Sequence, residues 1–168
     1  MDYLWTPWRY HFVTHPPAEP GVCVFCRAAT ADDRQALVVH RAVHNFVILN
    51  RFPYTSGHVM VVPFAHVATI EDLPAPALAE MMCLARDAVK HLRAAYRPDG
   101  FNLGMNLGQS AGAGIAAHVH MHVLPRWTGD TSFITTACET RVVPEELETT
   151  WEKLTTAFAA NPGPADAR

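Results

Sequence analysis

The chain has 168 residues, of which 17% are charged and 49% apolar, with a formal net charge of −3. That length suits one domain with a sizeable core, and the composition excludes a disordered chain. The acidic balance argues against a broad surface for polymeric nucleic acid, and no run of about 18 apolar residues offers a membrane span.

Residues 1–20 are rich in Trp, Tyr and Pro and end in Pro16-Pro17-Ala18-Glu19-Pro20. This predicts an ordered aromatic arm, then an extended linker. The opening Met1-Asp2-Tyr3-Leu4-Trp5-Thr6-Pro7-Trp8-Arg9 lacks the basic-then-apolar layout of a signal peptide, so a cytoplasmic protein is expected. Residues 21–34 carry Cys23-Val24-Phe25-Cys26 and then a polar turn. In a reducing compartment, metal or free-thiol roles are favoured over disulfides. A CxxC alone is a redox pair, half of a zinc site or a coincidence. The redox reading wants a helix start after the first cysteine within a βαβ pattern, and the sequence suggests neither.

Three apolar, β-branched runs follow: 36–40, 45–50 and 58–63. They read as neighbouring antiparallel strands, the last two joined by the turn-rich Arg51 to Gly57. A long helix is predicted after Leu73-Pro74, with an apolar stripe of Leu78, Met81, Met82, Ala85, Val89, Leu92 and Tyr96. Pro98-Asp99-Gly100 ends it. Residues 101–107 read as a strand, and Gly108 to Gly114 as a glycine-rich loop. Residues 144–158 have helical character, with Leu147, Trp151, Leu154 and Phe158 on one side, and the last ten residues should fray. The organisation expected is one α+β domain with a mainly antiparallel sheet. It comprises an arm (1–20), a core (21–135) and a C-terminal helix and tail (136–168).

The segment Ala117-His118-Val119-His120-Met121-His122-Val123-Leu124-Pro125 is the most informative. Histidines recur every second residue. In an extended strand all three imidazoles share one surface, while Val119, Met121 and Val123 pack behind. Imidazole can be a nucleophile, an acid–base group or a metal ligand near neutral pH.

The motif His118-Val119-His120-Met121-His122-Val123-Leu124-Pro125 resembles the His-apolar-His-apolar-His signature of the histidine triad family of nucleotide hydrolases and transferases. The blocks Asn50-Arg51-Phe52-Pro53-Tyr54-Thr55-Ser56-Gly57-His58-Val59-Met60-Val61-Val62-Pro63 and Gly100-Phe101-Asn102-Leu103-Gly104-Met105-Asn106-Leu107-Gly108 support it. The resemblance covers roughly residues 3–135. The segments Leu4-Trp5-Thr6-Pro7-Trp8-Arg9 and Pro125-Arg126-Trp127-Thr128-Gly129-Asp130-Thr131-Ser132-Phe133-Ile134 look like those of bacterial diadenosine tetraphosphate phosphorylases and their hydrolase-like relatives.

The resemblance implies a five-stranded sheet that dimerises into a ten-stranded one. It implies His120 as the nucleophile on an α-phosphate, giving a covalent nucleotidyl-imidazole, with His122 at a phosphate oxygen or the leaving group. Asn106 and the loop, with Gln109, Ser110, Gly112 and Gly114, would hold the phosphates, and Asn50 the ribose. Phe25, Phe46 and Phe52 are candidate base-pocket walls, and His58 is expected to be structural. The phosphorylases should carry a Gly-Ser pair where this chain has Ala113-Gly114, which favours water over inorganic phosphate as acceptor. The substrate is expected to be a purine nucleotide, as a dinucleoside polyphosphate or phosphoramidate. The rival readings are a phosphorylase and a noncatalytic nucleotide-binding module. The resemblance also implies a structural zinc ion held by Cys23, Cys26, His66 and His118. Finally, Trp5, Trp8 and the helix near Trp151 are expected to shape selectivity.

Overall fold

A computed structural model describes residues 22–130 and 145–160 of the chain. The aromatic arm, the 131–135 end of the core, Cys138 and the C-terminal tail lie outside them. Within the described residues, five strands form one antiparallel sheet in the order β1-β2-β3-β5-β4. They are β1 (Val38–Arg41), β2 (Asn45–Leu49), β3 (Val59–Pro63), β4 (Gly100–Met105) and β5 (Met121–Arg126). The helices are α1 (Val24–Thr30), α2 (Asp33–Ala36), α3 (Ala75–Tyr96) and α4 (Leu147–Ala160). The α+β class and five-stranded sheet are as the sequence predicts.

Both central strands are buried on their two faces, which explains their unbroken apolar runs. Val47, Leu49, Val59 and Val61 face α3 and α4, with Val119, Met121 and Val123 from the histidine segment. Phe46, Ile48, Met60 and Val62 face the other way, toward Phe25 and Ala28 of α1. Side-chain alternation along each strand thus builds two cores, and the site grows on the α1 side.

Helix α3 buries Ala77, Met81, Leu84, Ala85, Ala88 and Leu92. The predicted stripe is rotated: Met82 points outward at 52% exposure. Arg97 ends the helix in the left-handed conformation, and Pro98 follows, which disfavours helix at the residue before it. Glu80, although charged, is buried because it has work at the β1–β2 turn. Its carboxylate accepts from the Val43 and His44 amides and from Asn45 Nδ2. Trp151 donates its indole N–H to Val38 O at 2.7 Å and packs on the core beside β1. It is not among the residues that line the cavity described below.

Candidate active site and metal cluster

Cys26 lies in helix α1, with Cys23 as its N-cap, and the polar turn expected after it is the bend at Ala31 and Asp32 between α1 and α2. A helix does begin after the first cysteine, contrary to expectation, but among the described residues no βαβ unit surrounds it. Three residues apart on a helix, the two cysteines share a face. The loop after β3 brings His66, and the histidine segment brings His118.

All four ligand atoms lie within 4.8 Å of one another. Cys23 Sγ is 3.3 Å from His118 Nδ1, and Cys26 Sγ is 3.2 Å from His66 Nδ1. The two Nδ1 atoms are 3.2 Å apart, and Cys26 Sγ is 3.7 Å from His118 Nδ1. Tetrahedral bonds of roughly 2.0–2.3 Å place ligand atoms roughly 3.3–3.8 Å apart, so the donor set fits a four-coordinate metal ion. His118 Nε2 donates to Pro63 O at 2.9 Å, the outer contact that orients a ligating imidazole.

The strand expected over the whole histidine segment starts only at Met121. Val61 pairs with Met121, so Val119 would next oppose Pro63. Proline has no N–H to give, and the ladder stops there. Val119 N bonds instead to Val67 O in the loop carrying His66. The three imidazoles keep to the α1 side, and Phe25 packs against two of them, with ring centroids 5.3 Å from His118 and 4.9 Å from His120. Their surroundings differ. His118 is 1% exposed and turned to the cysteines. His120 and His122 line a cavity of about 760 Å³.

Hydrogen bonds fix the tautomers in that cavity. His120 Nδ1 lies 2.9 Å from His118 O, so it carries the proton and Nε2 holds the lone pair. His58 Nδ1 receives the Tyr54 amide at 3.1 Å and faces Asn50 Nδ2 at 3.3 Å. Two donors on Nδ1 leave the proton on Nε2, which donates to His122 Nδ1 at 2.9 Å. His122 therefore carries its own proton on Nε2. Burial lowers the His120 pKa. Burial, with His120 nearby, pushes that of His122 down to about 4. Both rings are neutral at pH 7.

His58, expected to be structural, is 1% exposed and is the hydrogen-bonded partner that holds His122. A signal existed: His58 stands directly before β3, two residues from Met60, and β3 pairs with the histidine strand. Tyr54, also unsuspected, lies over His58 and His122, with centroids at 4.7 and 6.0 Å.

The other predicted residues divide. Asn50, Asn106, Gly112 and Gly114 line the cavity, as do Phe25 and Phe52. Gln109 and Ser110 do not. They form an exposed 3-10 turn, Gln109–Ala111, capped by Gly112 at φ +85. The Ala111, Gly112 and Ala113 amides bond within this turn. The loop is thus not an open cradle along its length, and the segment after the turn, Gly114 to Ala117, lines the cavity. Phe46 is fully buried against Phe64 and is core. Asn50 both lines the cavity and holds its own turn, accepting from Phe52 N at 3.0 Å.

The HIT domain family model matches residues 32–129. The chain belongs to the HIT family. It is 39% identical over 169 residues to the AP-4-A phosphorylase of Mycobacterium tuberculosis, covering 96% of this chain and 87% of that one. It is 26% identical over 111 residues to the adenosine 5′-monophosphoramidase of Saccharomyces cerevisiae, 66% of each chain. A zinc-bound histidine triad family protein from Mycobacterium smegmatis has a crystal structure that superposes with a TM-score of 0.66. It is 29% identical, over 82% of this chain and 94% of that one. The expected class, an enzyme of the nucleotide hydrolase and transferase kind, stands with the family.

Proposed function

We propose that this HIT protein cleaves the nucleoside 5′-phosphate bond of a dinucleoside polyphosphate or a nucleoside phosphoramidate through a nucleotidyl adduct on His120. The observation that carries the reading is the bond from His120 Nδ1 to His118 O, which leaves an unprotonated Nε2 on the cavity wall. That nitrogen attacks the α-phosphorus, a P–N bond forms, and the bond to the leaving group breaks. His122 Nε2–H donates to the departing atom, with its Nδ1 held by His58. Water then gives a proton back to His122 Nε2 and attacks phosphorus, the P–N bond breaks, and the nucleoside monophosphate leaves with both imidazoles neutral again. Asn106 and the amides of Gly114 and Ile115 are the phosphate donors in this reading, and Asn50 meets the ribose.

The test is a rapid quench into alkaline denaturant with diadenosine tetraphosphate, followed by intact mass measurement. An added AMP mass on the wild type, absent from His120→Ala, is expected. No adduct on the wild type during turnover would exclude the mechanism. The likeness to a phosphorylase supports a second reading, in which inorganic phosphate takes the place of water. Phosphorolysis of diadenosine tetraphosphate gives ADP and ATP, whereas hydrolysis gives no phosphate-dependent ADP.

We assign the Cys23, Cys26, His66 and His118 cluster to structural zinc, supported by the soft two-sulfur, two-nitrogen donor set and by the zinc-bound relative. Bound there, zinc would close a tetrahedral tie among α1, the loop after β3 and the histidine segment. We further read the protein as a cytoplasmic homodimer, a compartment that suits free thiols at Cys23 and Cys26. The β1 edge is covered by α2 and α4, whereas β4 pairs only with β5 and exposes Leu103 at 45%. Pairing of two β4 edges would give the ten-stranded sheet.

A further inference from the structure

The cavity extends well beyond its histidine end. Its floor is one row across the sheet, because His122 pairs with Met60 and Met60 with Ile48. Paired residues point to the same face, and all three line the cavity. From β5 across β3 and β2 to the segment before β1 is three strand spacings, about 14 Å. That is the reach of a nucleoside monophosphate. At the far end the wall includes Gln35 and Arg51, with Arg51 Nη2 3.4 Å from Gln35 O. A nucleotide with its α-phosphate at His120 and its ribose at Asn50 would lay its base over Ile48, with the outer edge toward Arg51, which lines the same cavity.

We infer that Arg51 reads the edge of the base and that the site favours a 6-oxopurine, guanine or hypoxanthine, over adenine. This rests on the nucleotide reading above. A guanidinium has donors only, set in a planar fork. Guanine offers O6 and N7, two adjacent acceptors that match the fork. Adenine offers N7 beside an amino group, so one of the two bonds becomes a donor facing a donor. The Gln35 side-chain amide can turn either way and discriminates little. Among the described residues no carboxylate lines the cavity to receive the adenine amino group, and none forms an ion pair that would hold the Arg51 fork elsewhere.

The test is isothermal titration of the metal-loaded full chain with 5′-GMP, 5′-IMP and 5′-AMP, which are not turned over. GMP and IMP should bind about tenfold more tightly than AMP. Arg51 is exposed, so its replacement leaves the fold intact. Arg51→Leu should bring the ratio close to one, mainly by weakening GMP and IMP. Arg51→Lys keeps the charge but not the fork, and should lose the preference as well. Equal binding of all three nucleotides by the wild type would overturn the inference and leave the nucleotide reading intact. So would a GMP preference that survives Arg51→Leu. Failure of the wild type to bind any of them would refute the nucleotide reading itself.

Discussion

His118 and His120 stand two residues apart and touch the same phenylalanine ring, yet they belong to different chemistries. His118 presents Nδ1 to two thiols and another imidazole, and gives its Nε2 proton to Pro63 O. His120 presents Nε2 to a cavity and gives its Nδ1 proton to the His118 carbonyl. The same side chain becomes a ligand or a nucleophile according to which nitrogen a carbonyl claims. The two sites are also in series, since one residue supplies both the ligand atom and the carbonyl.

The sharpest way to separate them is to delete one imidazole at a time. His120→Ala should lower turnover of diadenosine tetraphosphate by about 10⁴-fold or more while nucleotide binding persists, read by steady-state rates and titration calorimetry. Cys26→Ser should act in the opposite sense, on the fold before the chemistry. With one soft ligand gone, the midpoint of thermal unfolding should drop by about 10 °C, and the metal content of purified protein should fall, read by calorimetry and elemental analysis. A Cys26→Ser protein with unchanged metal content and midpoint would remove the structural role. Between these extremes lies His58, which touches neither substrate nor metal. His58→Phe keeps bulk but frees His122 Nδ1, and kcat should fall about 100-fold with little change in KM. A variant with wild-type kcat would show that His122 needs no fixed tautomer.

How much of this was legible beforehand depended on whether a residue acts through its neighbours in sequence or across the sheet. The strands, the long helix and the alternating histidines follow from local periodicity. The four metal ligands came from the family resemblance and a CxxC, and the fold does gather them. The sequence places His58 as structural but not its partner, since His122 lies 64 residues away and strand pairing brings them to 2.9 Å. Gln109 and Ser110, expected to add side-chain donors at the phosphate, lie away from the cavity lining. Local amide bonds instead curl the loop into a turn, a competition that glycine content does not reveal. The early end of the β5 ladder turns on Pro63, a residue whose effect falls on the strand beside it.

The smallest expected effect concerns acid. His122 is buried and neutral, with a pKa near 4 in the folded protein against an ordinary value of 6.5. Between those two pH values the unfolded chain binds the extra proton and the folded one does not. Stability from this residue is therefore complete above pH 6.5, falls as the pH drops through that window, and levels off below about 4. At about 1.4 kcal/mol per pH unit, the loss between pH 6.5 and 5 is on the order of 2 kcal/mol. The metal cluster also loosens in acid, because its histidines and thiols must be deprotonated to bind. A glutamine at this position cancels that contribution: wild type and His122→Gln share the cluster, so the difference of their unfolding free energies in urea isolates the imidazole. That difference should shift by about 2 kcal/mol against the wild type between pH 6.5 and pH 5. A constant difference would mean that His122 takes up its proton as readily in the folded protein as in the unfolded chain, and the cavity would then meet its substrate with a cation where a neutral donor is proposed.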